Sequence, residues 1–251
     1  ILENGEKITS DYVISSAGIQ NTLSTFLRDE VDLSNYRKNL NNIKPSFGHL
    51  CLYVGFNQTA ADLGINDTNL WIYPGYDHDS NTQAYMNDET SPFPVVYMSF
   101  ASAKDPIWET EHPNTATLEA IVPTDFHNFA KWQNKPWKGR GDDYEEYKQI
   151  FTDRILKTIY KYNPHLDGKI SFYELSSPLS TRDMANYQFG ELYGADHTPD
   201  RFRLKWLKPK TPLKGFLMTG QDVTTVGLTS ALSSGVLTSS VLLKKNLFKS
   251  I

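Results

Sequence analysis

The chain is almost without cysteine: Cys51 stands alone among 251 residues. An intrachain disulfide is therefore excluded, and the apolar run around Cys51 predicts a buried thiol. Positive charge is also in deficit. The net charge is −4, with no strongly basic stretch, which argues against nucleic acid as the main partner. The lysines at 205, 208, 210 and 214 are broken up by prolines and predict a solvated linker. Metal-ligand spacing is missing among the six histidines, at 49, 78, 112, 127, 165 and 197. Asp77-His78-Asp79 reads as a solvated loop, so no metal site is expected. There is no Gly-x-Ser-x-Gly elbow of a serine hydrolase and no phosphate loop. Gly139-Arg140-Gly141 lacks the preceding strand and third glycine of a dinucleotide fingerprint. The first residues, Ile1 to Lys7, have neither the basic start nor the apolar core of a signal peptide. The one long weakly polar run, Val226 to Leu243, carries seven serines and threonines and two glycines, a poor membrane span. These absences predict a cytoplasmic or peripheral membrane protein without a transmembrane segment. The two sequons, at Asn57 and Asn66, read as chance matches.

What remains is 39% hydrophobic and 13% aromatic, ample for one large domain or two modest ones. Asn4-Gly5 is a hairpin signal, followed by a strand over Lys7 to Ser15 that ends on the small residues Ser15 to Gly18. The spacing of Leu23, Phe26 and Leu27 predicts a short helix over 21–33. Strands are expected over 47–56, 70–73, 95–100, 117–122 and 169–175. In the first of these, Leu50, Leu52 and Val54 share one face and Cys51 and Tyr53 the other. Asp77 to Pro94 reads as a long polar loop, a candidate lid. Tyr147, Phe151, Ile155, Ile159 and Tyr162 form one apolar stripe and predict a helix over 142–162, ended by Asn163-Pro164. Ser180-Thr181-Arg182-Asp183 resembles a helix start. Lys208 to Pro212 reads as a linker.

The most informative stretch is Gly215 to Leu228, an apolar strand, a glycine-hinged turn and the start of a helix expected to reach Leu247. Gly220 allows a turn or close approach to a ligand. Thr224 and Thr225 are candidate helix caps. The helix start offers unpaired N–H donors and partial positive charge, suited to an anion or an electron-rich ring. Simple packing of a strand-turn-helix accounts for the same residues.

Phe216-Leu217-Met218-Thr219-Gly220-Gln221-Asp222-Val223-Thr224-Thr225-Val226-Gly227, followed by Ala231 and Ser234-Gly235, resembles the C-terminal flavin-contacting segment of the phytoene desaturase family. The nearest branch is the retinol saturase and carotenoid isomerase group. Gly5 to Gly18 is similar to the family strand where the chain leaves the flavin domain. Glu174 to Ser180 and Gly190-Glu191-Leu192-Tyr193-Gly194 resemble its loop approaching the flavin ring. These matches bracket the chain, while Asp29 to Lys169 is recognisable by placement alone.

The resemblance implies an α/β protein with an α+β part. A substrate domain over 24–212, built on a mainly antiparallel or mixed sheet with flanking helices, would lie between two returning pieces of a Rossmann-like FAD/NAD(P)-binding domain, 1–23 and 213–251. The family's N-terminal Gly-x-Gly-x-x-Gly half is not in this sequence. The expectation is thus the C-terminal portion of a longer flavoprotein, inactive and prone to self-association by itself. FAD would be the cofactor of the full-length protein, with NAD(P)H as candidate reductant. An apolar polyene, retinoid or carotenoid-like, would be the substrate, and peripheral membrane contact a candidate means of reaching it. By the resemblance Asp222 would hydrogen-bond cofactor hydroxyls, with Gly220 and Thr225 beside it, and the Val226-Gly227-Leu228 backbone would face the flavin's pyrimidine edge. Gly190 and Gly194 would let backbone approach the ring with Tyr193 as a wall, and Ser16, Ala17 and Gly18 would line the opposite side. No catalytic acid or base stands out, in keeping with chemistry carried by a cofactor. The aromatic and aliphatic residues of the middle strands serve equally as a substrate tunnel or as core. A redox-neutral isomerase using reduced FAD and a non-enzymatic binder of an apolar ligand or protein remain the alternatives.

Overall fold

The computed structural model describes residues 1–27 and 33–250. The part of the expected helix 21–33 that falls on residues 28–32 lies outside them. Seven strands are present among the described residues: β1 (Val13–Ser15), β2 (Gly48–Phe56), β3 (Leu70–Ile72), β4 (Val96–Ser99), β5 (Ala116–Thr124), β6 (Ile170–Ser176) and β7 (Phe216–Met218). With the helices they make a mixed α/β chain, in which β1 and β7 pair in parallel and the other five strands form an antiparallel sheet. The chain divides into two compact units, Ile1–Ser46 with Tyr193–Ile251, and Phe47–Leu192.

The Phe47–Leu192 unit is the sheet in the order β3-β4-β5-β2-β6. Side chains alternate across a pleated strand, and the register lines up Leu70, Met98, Ala120, Leu52 and Leu175 in one row across all five strands. Leu50, Leu52, Val54 and Phe56 of β2 lie buried on that side, as the alternation predicts. The helix Asp142–Tyr162 runs over the residues expected and covers this face with Phe151, Ile155 and Ile159, each at most 1% exposed.

The expected lid loop 77–94 contains a helix, His78–Asn87, started by the Asp77 side chain, which accepts from the Ser80 N–H. This Asp-x-x-Ser cap lies in so polar a stretch that composition hides it. The segment is tied to the long helix: the Tyr147 hydroxyl donates to Glu89, and Arg154 donates to the Glu89 and Ser91 carbonyls. The helix expected to open at Ser180 begins earlier. Its cap is Ser177, with Pro178 in the first turn and Ser180 returning the capping-box bond.

In the other unit, β1 and β7 pair over only three residues each. The Asn4-Gly5 turn forms between Leu2 and Glu6, but the expected strand shrinks to Val13–Ser15, because β7 offers no longer partner. The far edge of β7 meets 209–211: the Met218 N–H donates to the Pro209 carbonyl, and the Thr211 hydroxyl donates to the Phe216 carbonyl. The expected linker is therefore a strand partner. Helix Leu228–Leu243 returns over β7, with Thr238 donating to the Met218 carbonyl and Ser234 accepting from the Gly220 N–H. It ends at Lys244 in the left-handed conformation, short of the expected Leu247. Tyr36, Leu40, Ala195 and Leu207 share a core with Phe216 and Met218. This shared core puts the unit borders at 46/47 and 192/193, where sequence suggests 23 and 212.

Candidate functional site

β7 delivers its C-terminal end into a turn where several glycines are required by different constraints. Gly220 and Gly227 have φ of +97° and +95°. A Cβ on Gly220 would find its nearest neighbour, the Ser16 carbonyl, at 3.8 Å, and one on Gly227 would meet nothing within 4 Å. Conformation alone calls for glycine there; the space beside Gly227 is open, while at Gly220 the Ser16 carbonyl stands at ordinary contact distance. At Gly194, with φ +64°, a Cβ would stand 2.3 Å from an Asp222 carboxylate oxygen. That glycine is required by contact.

Asp222 is 4% exposed. Its Oδ2 accepts from the Ile19 N–H at 2.7 Å and its Oδ1 from the Ala195 N–H at 2.9 Å. One carboxylate thus joins the turn after β1 to the 194–195 loop, and both oxygens are engaged with the chain's own backbone. Charge-assisted bonds of this kind are about twice as strong as neutral ones. Sequence reasoning missed Arg201, which is 6% exposed and donates from Nη2 to the Gln221 and Asp222 carbonyls at 2.7 and 2.8 Å. Burial pulls its pKa down, against the pull of Asp222 and Asp196. No local pattern singled this arginine out; it is one of several basic residues in a turn capped by Thr198.

The structure therefore brings Gly18, Gly194, Gly220 and Asp222 together, with Ser16 exposed and Ala17 half-buried beside them. The Tyr193 N–H donates to Ser46 Oγ, and its ring lies 6.4 Å from that of His197, whose pKa burial lowers. Thr225, Gly227 and Leu228 are exposed and Val226 is half-buried. The expected threonine caps are not used. Gly227 caps the helix without a side chain, and Thr224 turns to the Gly220 and Ser230 carbonyls. Gly190 belongs to the Phe47–Leu192 unit, where a Cβ would stand 2.0 Å from the Pro178 carbonyl oxygen. Close packing accounts for it.

That unit offers a second surface. Opposite its core, the register aligns Trp71, Tyr97, Ile121, Cys51 and Ser176 in a row across the sheet, with Glu119, Tyr53 and Glu174 in the next and Phe172 beyond. Trp71, Tyr53 and Phe172 are 61%, 44% and 58% exposed, and the Trp71 and Tyr97 ring centroids lie 4.6 Å apart with their planes tilted by 51°. Burial raises both Cys51 and Tyr53 to about 12, so both stay protonated, with the carboxylates of Glu119 and Glu174 paired on either side of Tyr53. Alternate residues of the same strands form the core and an opposite face, on which Trp71, Tyr53 and Phe172 are exposed and Cys51 is buried. Among the described residues no group of three potential metal ligands occurs, and no helix is long and apolar enough to cross a membrane.

No protein-family profile matches the chain. Among curated proteins it is similar over its whole length to all-trans-retinol 13,14-reductase of Rattus norvegicus, at 34% identity, and to that of Homo sapiens, at 30%. A Danio rerio protein named inactive all-trans-retinol 13,14-reductase is 27% identical over 95% of the chain. The chain spans 43% of the rat and human proteins and 41% of the zebrafish one, less than half the length of the relatives it matches.

Proposed function

We propose that the chain works as part of an FAD-dependent oxidoreductase that reduces a carbon-carbon double bond of a long apolar polyene of retinoid type. The observation that carries this reading is the open aromatic face. Four inter-strand steps of about 4.8 Å make a row of about 19 Å from Trp71 to Ser176, exposed at Trp71, half-buried at Tyr97, Ile121 and Ser176 and covered at Cys51, the length of an extended isoprenoid chain. The names of the relatives point to a retinoid. FAD comes from the resemblance of residues 215–228 to a flavin-contacting segment.

The residues present fit such a group in part. The open space at Gly227 admits close approach to the backbone, and the side-chain-free start of helix Leu228–Leu243 presents N–H donors and partial positive charge. Val226, Gly227 and Leu228 would hold the pyrimidine edge there. Asp222, with both oxygens engaged by Ile19 and Ala195, fits the role of a clamp that fixes the surrounding turns better than that of a direct ligand. FAD would supply the hydride equivalent that, with a proton, saturates a double bond. The protein's part is to bind and orient the polyene along the row from Trp71 to Ser176.

We place the remaining contacts to the flavin in a half that this chain does not carry. Equilibrium dialysis of the purified chain with FAD tests this: the expected outcome is no stoichiometric retention, and a yellow, stoichiometric complex would contradict it.

A further inference from the structure

Beyond Trp71 the edge strand β3 runs into a cluster of aromatic rings outside the row. Leu70-Trp71-Ile72-Tyr73 is stopped by Pro74-Gly75, and Tyr76 follows. The last residue of helix Asp142–Tyr162 supplies a fourth ring. Trp71, Tyr73, Tyr76 and Tyr162, with His78, line a cavity of about 590 Å³. Among the described residues, no lysine, arginine, aspartate or glutamate lines it. All four rings are exposed, Tyr76 completely, so a ligand can reach their faces from solvent.

Three features of this place favour a positive charge. The faces of aromatic rings are negative. The C-terminus of helix Asp142–Tyr162 lies at the cavity, and a helix carries partial negative charge there. Between Lys44 and Lys104 the sequence has no lysine or arginine and six acids, with Asp77 and Asp79 on either side of His78. The opposing charges are answered. The positive start of helix His78–Asn87 is capped by Asp77 and has Asp79 in its first turn. Lys104 donates to Asn69 and Ser99. Lys161, exposed and outside the lining, has its Nζ 5.3 Å from the Tyr162 ring centroid, the kind of contact the rings can give a ligand. A primary ammonium or guanidinium brings N–H donors that need acceptors once they leave water, and no carboxylate lines the cavity to supply them. A trimethylammonium group has no N–H to satisfy, and ring faces answer its charge.

We propose that this cavity binds a quaternary ammonium group, held by the rings of Trp71, Tyr73, Tyr76 and Tyr162. The group belongs to a choline-like solute or to the head of a choline lipid; its chemistry is the same in both. The site stands apart from the polyene reading and shares only Trp71 with it.

The test is a proton NMR titration of the purified chain with choline and with 3,3-dimethylbutan-1-ol, its uncharged isostere. Choline's methyl resonance should move upfield, because protons over ring faces are shielded. Choline should bind about fivefold more tightly than the isostere, the effect of about 1 kcal/mol of cation–π attraction. Trp71→Leu and Tyr76→Leu each keep apolar bulk and remove one ring. Each should weaken choline about threefold and leave the isostere nearly unchanged. Tyr76 is fully exposed, so its replacement spares the core and keeps the test open should Trp71→Leu disturb the sheet edge. Sedimentation with phosphatidylcholine vesicles, lost in Tyr76→Leu, would put the group on a lipid. Choline binding without sedimentation would put it on a solute, and either result sustains the site. Equal affinities for choline and the isostere, no upfield shift, or choline binding that both variants leave intact would overturn it.

Discussion

Asp222 carries more of the local architecture than its place in a turn suggests, because its two oxygens are the acceptors of two buried backbone N–H groups. Asp222→Ala leaves the Ile19 and Ala195 N–H groups without partners at a cost of about 1–3 kcal/mol each. The urea midpoint should fall accordingly, and Asp222→Asn, which keeps one acceptor, should fall by less. The neighbouring glycines separate two mechanisms. Gly227→Ala adds a methyl group to open space and bears only the strain of a backbone at φ 95°, ψ 162°, a region open essentially to glycine, about 1–3 kcal/mol. Gly194→Ala also drives that methyl group into the carboxylate at 2.3 Å, so its loss should clearly exceed that of Gly227→Ala in the same denaturation series. A Gly194→Ala protein as stable as Gly227→Ala would show that the clamp yields easily. At this scale the sequence was informative where chemistry is local. Glycines at 194, 220 and 227 mark positive φ, and an aspartate after a buried strand marks a turn. The partners of Asp222 lie 203 and 27 positions away and carry no local pattern, so the engagement of its oxygens by backbone could not be read, and Arg201 could not be found at all.

Elements with a strong apolar period were legible nearly to the residue. The helix Asp142–Tyr162 announces itself by Phe151, Ile155 and Ile159, and these same side chains fill the core; Ile155→Ala, at 0% exposure, should cost about 2–5 kcal/mol. The helix His78–Asn87 was misread as a loop because it buries a single large side chain, Tyr85, and its start depends on one capping carboxylate. Asp77 has a pKa below the usual carboxylate range, owing first to the Ser80 N–H and then to the Ser80 hydroxyl. A depressed folded-state pKa means that the cap's contribution is full above the ordinary carboxylate pKa and is lost as pH falls through the folded value. On acidification below about pH 4 the Ser80 amide should therefore lose hydrogen-exchange protection before the sheet does. In Asp77→Asn that pH dependence should vanish; its persistence would assign the acid lability to another group. The strand at 7–15 failed for a different reason, since strand length is set by the partner, and β7 gives only three residues.

At the scale of the whole molecule, the sequence pointed to a sheet-based substrate domain between two returning segments, and placed its borders by motif at 23 and 212. Motifs mark the elements that resemble a flavin domain, but they do not mark packing. Tyr36, Leu40 and Leu207 carry no motif, and they join the core of β7. One consequence is that residues 47–192 form a continuous stretch with its own core and should fold when expressed alone, melting cooperatively with the antiparallel sheet's circular dichroism. A segment cut at 24–212 would carry unpaired core residues such as Leu33 and Leu40 and should be the less soluble of the two. Aggregation of 47–192 beside a well-behaved 24–212 would contradict the division.

Reduction of a polyene double bond by a flavin held against this chain changes the mass of the polyene, so the decisive experiment supplies a protein that carries this chain, together with the complementary flavin-binding half, with reduced FAD and all-trans-retinol, and weighs the product. A product heavier by two hydrogens is the expected result. An unchanged mass with a shifted absorption spectrum would mean isomerisation, and unaltered retinol with flavin bound would mean that the chain, like the relative named inactive, does not carry out the reaction.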